Sequence, residues 1–373
     1  MEQDRSIKKT NSKKVLFLAN HFITLFSFRK ELINKLIEEG HDVYLSLPKD
    51  EDNKYFEDLG CKIIETKIDR RGVNPFKDLS LINQYRKIMN DIKPDIIFSY
   101  TIKPNIYGTF VSNNKYRQVS NITGTGATFL SDSLVSKIAK VLYRFSIKNS
   151  YKVFFQNEGD KDFFVSNGLV KNNYELLPGS GCNVDEHEYS IMPSDEVVKF
   201  IYIGRVMEVK GINEYLQAAK RIKEKYDNVV FYIAGWNEEN DIMELVNKYQ
   251  EEGIVEYVGF RKDINDWIKK CHCVVLPSHG GEGVPNVLLE SCASGRACVG
   301  SDTNGIKDVI EDEVNGYIFK NKDVDSLTDC LNKFYELSYE EKNQMGINGR
   351  RIVEEKFDRK IVINKYLEEV NKA

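Results

Sequence analysis

Short runs of β-branched and aromatic residues alternate with amphipathic helical windows along this chain, and near residue 197 the alternation starts again. No other feature restricts the fold as much. A chain that returns to a new strand after every helix is best satisfied by parallel strands with helices on both faces of the sheet. In the first half, Val15-Leu16-Phe17-Leu18-Ala19 predicts a buried strand. Phe28, Leu32, Leu36 and Ile37 then share one face of a helix that Gly40 stops. Further strands are expected over 43–47, 62–64, 95–99, 118–122 and 153–156. The second series has strands at 197–203, 229–234, 255–258 and 273–276, with helices over 211–225 and 241–251. Three helical windows close the chain, and the last, 360–370, is strongly amphipathic.

The fold class read from this pattern is α/β, with two Rossmann-like domains whose parallel sheets face each other across a cleft. Residues 1–185 form the first domain, 186–355 the second, and 356–373 a helix that packs back toward the first. The linker is expected between Gly179 and Asp195, a stretch with Gly, Ser, Asn and Pro. With 373 residues, 41% of them hydrophobic, each half can bury its own core.

The formal net charge of −4 hides an asymmetry. Residues 1–185 carry 28 Lys+Arg against 22 Asp+Glu, so the excess of acid lies in the second half. A basic first half suits an anionic partner or an anionic membrane surface. The window 134–147 places Leu134, Ile138, Val141, Leu142 and Phe145 near one face, with Lys137, Lys140, Arg144 and Lys148 between. It reads as a core helix with a basic outer face or as a membrane-surface helix. The stretch from Met1 to Lys14 is polar, and Val15 to Phe28 is too short to span a bilayer. The expectation is a cytoplasmic protein, peripheral at most on the inner face of the cytoplasmic membrane. The seven cysteines include no CxxC pair, and Cys271-His272-Cys273 falls on a predicted strand, so no metal site is expected.

In open parallel sheets, ligands bind beyond the carboxyl ends of the strands. The loop after the first strand of the second half reads Gly204-Arg205-Val206-Met207-Glu208-Val209-Lys210-Gly211. Two cations there, just before a helix N-terminus, suit a diphosphate. The loop after the strand at 274–276 reads Pro277-Ser278-His279-Gly280-Gly281-Glu282-Gly283-Val284-Pro285-Asn286. Its glycines bring backbone close to a ligand, and Pro285 suits a helix start. Glu282 precedes that helix. Glu290 lies a turn inside it, on an otherwise apolar stretch, where sugar or ribose hydroxyls would satisfy a carboxylate.

Gly-Arg-x4-Lys-Gly followed by Pro-Ser-x3-Glu-Gly-Val-Pro-x4-Glu resembles glycosyltransferase family 4, which has the GT-B fold. The resemblance implies that Arg205 and Lys210 bind a donor diphosphate, that Glu282 approaches the donor sugar, and that Glu290 meets the ribose. Gly204, Gly283, Val284, Pro285, Asn286 and Arg261 complete the expected donor-binding set. Arg296 departs from the proline or lysine common at its position. The first half is similar to a bacterial subgroup that extends polyprenyl-diphosphate-linked saccharides, with the N-acetylgalactosaminyltransferase of bacterial N-glycosylation among its members. The similar stretches are Phe28-Arg29, Arg70-Arg71-Gly72-Val73-Asn74-Pro75, Thr101-Ile102-Lys103-Pro104-Asn105-Ile106-Tyr107-Gly108, Thr123-Gly124-Thr125-Gly126 and Phe155-Gln156-Asn157. They imply acceptor contacts from Arg70, Arg71, Thr101, Lys103, Asn105, Thr123 and Gly124. The histidine that many members carry after a mid-domain strand is absent here, because Asn121-Ile122-Thr123-Gly124 stands in its place.

The resemblance thus implies a retaining enzyme without cofactor. It would move galactose or N-acetylgalactosamine from a UDP-sugar to a polyprenyl-diphosphate-linked saccharide, with no nucleic-acid partner. No Asp-x-Asp metal motif of the usual transferase kind stands at a strand end, so metal independence is expected. Three other readings stay open: a nicotinamide oxidoreductase, although Ala19-Asn20-His21-Phe22 stands where its Gly-x-Gly-x-x-Gly turn would be, and the two that follow. A nucleotide-sugar epimerase of this fold would need no acceptor, and a non-catalytic two-domain sugar-binding protein would prefer free sugar.

Overall fold

The computed structural model describes residues 12–70, 72, 74–124 and 134–373. Arg71, Val73 and the pair Thr125-Gly126 lie outside them. The chain divides into two compact units, one of Met1–Leu177 with Val362–Ala373, the other of Pro178–Ile361.

The first unit holds seven parallel strands: β1 (Lys14–Leu18), β2 (Asp42–Leu47), β3 (Lys62–Glu65), β4 (Ile96–Tyr100), β5 (Arg117–Ile122), β6 (Lys152–Phe155) and β7 (Tyr174–Leu176). Their order across the sheet is β3-β2-β1-β4-β5-β6-β7. Val15 of β1 lies between Val43 and Ile96, so β1 and β4 are central. Successive side chains feed opposite faces. Val15, Phe17 and Ala19 join one apolar core, while Leu16 and Leu18 join the other. Both faces are therefore covered, which explains why these strands read as unbroken apolar runs rather than as alternation.

The second unit has six parallel strands: β8 (Val198–Ile203), β9 (Val229–Ala234), β10 (Glu256–Gly259), β11 (Cys273–Leu276), β12 (Ala297–Ser301) and β13 (Gly316–Phe319). The order is β10-β9-β8-β11-β12-β13. Cys273 and Val275 enter one core, and Val274 and Leu276 the other. In each sheet the strand order reverses once, between β1 and β4 and between β8 and β11. Loops at those points splay to opposite sides and leave a crevice at the carboxyl ends.

The stretch expected as a linker is bound to the second unit. Arg296, fully buried and with no carboxylate partner among the described residues, donates to the carbonyls of Ser190 at 2.8 Å and Ile191 at 3.1 Å. Arg350 donates to the carbonyls of Val184 and His187, and the Cys182 amide donates to Phe357. A buried guanidinium needs several acceptors, and an extended segment with free carbonyls supplies them. The division therefore falls at Leu177, ahead of that stretch.

The terminal helix Arg359–Asn371 sends Val362, Tyr366 and Val370 into a core of the first unit. The Tyr366 ring packs 5.0 Å from Phe98 and 5.2 Å from Phe154, and its hydroxyl bonds Asn121. The buried Arg29 guanidinium lies over the Tyr100 and Tyr366 rings and donates to the Tyr100 hydroxyl at 3.2 Å.

Candidate functional site

The second sheet's reversal point lies between the two loops singled out from sequence. After β8 the chain makes a short turn over Glu208–Lys210 and enters the helix Ile212–Lys225 through Gly211. Gly211 has φ +73, and a Cβ there would lie 2.0 Å from the Pro277 carbonyl oxygen. Only glycine lets the two loops come this close. The contact is extended by the His279 amide, which donates to the Val209 carbonyl at 3.0 Å.

Side chains complete the join. Lys210 pairs with Glu282, both mostly buried, and Ser278 donates to the same carboxylate at 3.1 Å. The His279 ring meets Glu214, in the first turn of the helix after Gly211, at 3.1 Å. The loop is fixed from its other side as well. Ser301 donates to the Ser278 carbonyl at 2.5 Å, and Asn321 to the His279 carbonyl at 3.2 Å. Gly305, at φ +80, would put a Cβ 1.6 Å from the Gly283 carbonyl oxygen. The Thr303-Asn304-Gly305 turn was not singled out from sequence, although its place after a strand was the available signal.

Arg205 is more open. Its side chain is 43% exposed, and Glu238 lies 3.7 Å from its guanidinium. The Tyr202 hydroxyl donates to the Arg205 carbonyl at 2.6 Å, which fixes the backbone while the side chain stays accessible. Gly204 sits against Gly235, where a Cβ would collide with the Gly204 carbonyl.

The helix Asn286–Ala293 follows Pro285. The Ser180 hydroxyl donates to the Asn286 side chain at 2.8 Å, and Val284 packs on Gly179. Glu290, half-buried on this helix, has its carboxyl pushed up to about 7 by burial, with Arg359 pulling it down and Glu186 adding to the rise. Such a carboxyl is poised to take hydroxyl donors or give a proton near neutrality.

Arg261 is held by Asp263 at 2.7 and 2.8 Å. Just after the ends of β9 and β10, Trp236 and Phe260 stack with centroids 4.2 Å apart, and both are about half exposed. Sequence reasoning passed over this pair, because nothing local distinguishes an exposed aromatic from a core one. Cys271, His272 and Cys273 are fully buried. Burial pushes the His272 imidazole down to about 4, and its Nδ1 accepts from the Lys199 amide. Among the described residues no three His, Cys, Asp or Glu side chains converge as a metal would require.

In the first unit the expected acceptor residues divide. Thr101, directly after β4, has φ +71 and ψ 169, a strained conformation for a β-branched residue. Its buried hydroxyl finds no hydrogen-bond partner among the described residues. Lys103, on the helix Ile102–Ser112, is mostly buried and paired with Asp78 at 2.6 Å, so its charge is neutralised here. Asn105 does a different job from the one expected. It accepts from Ser99 at 2.8 Å and donates to the Asn121 carbonyl at 2.8 Å, so its amide is spent inside the fold. Thr123 and Gly124 follow β5, Gly124 with φ +123. Arg70 is exposed on the loop after β3, and Arg71 lies outside the described residues. His21 caps the helix Phe22–Glu38 by accepting from the Ile23 amide at 3.1 Å, a structural task.

Residues 186–352 match the family model for glycosyl transferases group 1, and residues 14–157 the model for glycosyl transferase 4-like domains. The chain is similar to the N,N'-diacetylbacillosaminyl-diphospho-undecaprenol alpha-1,3-N-acetylgalactosaminyltransferase of Campylobacter jejuni, at 25% identity over 95% of this chain and 97% of the relative. It is also similar to the UDP-Gal:alpha-D-GlcNAc-diphosphoundecaprenol alpha-1,3-galactosyltransferase of Escherichia coli, at 25% identity over 70% of this chain and 71% of that one. In fold it resembles Anabaena HepE in its complex with UDP-glucose, with a TM-score of 0.79 at 17% identity, covering 97% of this chain and all of that one.

Proposed function

This chain belongs to the glycosyltransferases built from a 4-like N-terminal domain and a group 1 C-terminal domain, and on that premise we propose that it transfers a sugar from a UDP-sugar to a polyprenyl-diphosphate-linked saccharide with retained anomeric configuration. N-acetylgalactosamine and galactose are the preferred donors, by analogy with what the two relatives' names say of those proteins.

One observation carries the reading. Lys210 and Glu282, from the two loops at the reversal point of the second sheet, are locked together, and Arg205, on the same loop as Lys210, keeps an accessible side chain. A donor diphosphate entering this crevice meets two cations held by rigid backbone. They neutralise charge growing on the leaving diphosphate, which stabilises the transition state more than the ground state. The donor takes Lys210 over from Glu282. That frees the carboxylate to accept hydroxyls of the sugar, while Glu290 accepts those of the ribose. Trp236 and Phe260 offer the uracil an apolar face beside Arg261. The leaving phosphate itself takes the acceptor proton on the same face of the sugar, and configuration is retained. On this reading the two cations do what a metal ion would otherwise do. The first unit supplies the acceptor contacts through Arg70, Thr101 and the loop at Thr123-Gly124.

The protein works at a membrane surface because its acceptor is anchored there. No helix among the described residues is long and apolar enough to cross a membrane. The outer face of the helix Leu134–Ser146 exposes Ile138, Val141 and Phe145 alongside Lys137 and Arg144, which favours peripheral contact with anionic lipid on the inner face of the cytoplasmic membrane.

The test is turnover with each UDP-sugar, following nucleotide release and product mass together and reading the anomer of the product by NMR. Arg205→Ala and Glu282→Gln should each lower kcat by about 10²–10³-fold, the range for removing one preorganised electrostatic group. Donor consumption to a new UDP-sugar without acceptor would mark an epimerase instead.

A further inference from the structure

We infer that the acceptor's prenyl diphosphate occupies two joined hollows of the first unit, its anionic head among Lys49, Lys67, Arg70 and Lys77 and its first isoprene units against Phe76 and Leu79. The inference rests on the lipid-linked acceptor proposed above and gives that acceptor a place.

The first hollow, about 830 Å³, lies at the carboxyl ends of β2 and β3, against the start of the helix Pro75–Ile92. Its lining carries those four cations against two acids, Glu65 and Asp69. Asp69 is already engaged. It accepts from the Lys77 ammonium at 2.9 Å and from the Gly72 amide at 2.8 Å, and these hold its carboxyl below the usual range. The excess of Lys49, Lys67 and Arg70 over Glu65 therefore faces an open space large enough for a diphosphate and a sugar ring, a ready site for a polyanion.

The second hollow, about 500 Å³, runs along the same helix and is lined by Phe76, Leu79, Asn83, Gln84 and Lys87. Ser80 lines both hollows, so they adjoin. Phe76 is 84% exposed and Leu79 57%. Two large apolar side chains in one helical turn, left open to water, forgo a burial that most such residues obtain. The wall between strand and helix is firm. The Gln84 amide accepts from the Lys67 amide at 2.9 Å and donates to the Lys67 carbonyl at 3.3 Å. A ligand with a phosphate head and a branched hydrocarbon tail uses both hollows. Free phosphate would leave Phe76 and Leu79 idle, and a neutral lipid would leave the cations idle.

Calorimetric titration of the full chain with farnesyl diphosphate, inorganic diphosphate and farnesol tests this without any sugar transfer. Farnesyl diphosphate should bind at least about tenfold more tightly than either of the others, the gain expected when head and tail are both satisfied. The pair Lys67→Ala with Arg70→Ala should abolish the preference over farnesol. The pair Phe76→Ser with Leu79→Ser should abolish the preference over inorganic diphosphate. All four positions are exposed, so melting temperatures should hold and exclude misfolding. Farnesyl diphosphate binding no more tightly than inorganic diphosphate, or both double variants binding like the parent, would overturn the inference. If transfer to lipid-linked saccharide proceeds while the variants bind unchanged, this inference falls and the proposed function stands. If the hollows bind as described and no donor is ever turned over, the proposed function falls and the hollows remain.

Discussion

At the level of single residues, the placing of Glu282 in a loop and Glu290 on the helix after it was legible, because Gly-Val-Pro between them reads as a loop leading into a helix start. Other residues were not. The strain at Thr101 is a property of φ, and nothing in Thr-Ile-Lys announces it. The spending of Asn105 on Ser99 and Asn121 depends on which strand lies beside β4, a long-range fact. The ionisation of Glu290 gives a prediction with a definite sign. Its folded carboxyl titrates near 7 and its unfolded one near the ordinary glutamate value, so the folded state holds the proton over that window. Stability from this group is full below about pH 4.5 and is lost as pH rises through about 7. Glu290→Gln should remove that slope, which urea-unfolding midpoints of both proteins at pH 5 and 7.5 would reveal. If the ionised form accepts the ribose hydroxyls, donor KM should also fall as pH rises through 7 in the parent and stay flat in the variant. Gly211→Ala is the stricter test of geometry. The new methyl meets the Pro277 carbonyl in a backbone conformation that alanine avoids. The two loops must part, and on the proposed function UDP-sugar affinity should fall by at least about tenfold, from αL strain and lost positioning together.

Among secondary-structure elements, the central strands were read from sequence almost to the residue, because burial on both faces leaves no polar alternation to confuse them. The edge strands β7 and β13 were missed. Each has three or four residues, and β13 opens on Gly316, pressed against the Cys298 carbonyl. Such strands exist because a neighbour offers a free ladder, not because of their own pattern. The closing helix was visible as an amphipathic window, but its partners were not. Tyr366 packs between Phe98 and Phe154 and bonds Asn121. Tyr366→Ala should therefore cost about 3–5 kcal/mol, the usual penalty for deleting a buried aromatic. Thermal unfolding would detect it. A loss below 1 kcal/mol would mean that this helix end is not anchored as described.

For the whole molecule, the two-sheet organisation followed from the restart of the strand-helix alternation near residue 197. The boundary was harder to read. Gly, Ser, Asn and Pro between 179 and 195 look like a linker until Arg296 and Arg350 are seen gripping its carbonyls. Functional reading was uneven for a related reason. The proposed donor site draws on two loops with a strong motif, whereas the hollows at Lys49, Lys67, Arg70 and Phe76 draw on a strand end, a loop and a helix that share no local signal. The most direct test of the account is turnover, with chelator present, of a UDP-sugar panel and a short polyprenyl-diphosphate-linked saccharide, weighing the product by mass spectrometry. One donor sugar should be added to the saccharide with one UDP released, and both signals should collapse in Arg205→Ala and Glu282→Gln. Transfer at the parent rate in those two variants, or no binding of any nucleotide sugar, would contradict it.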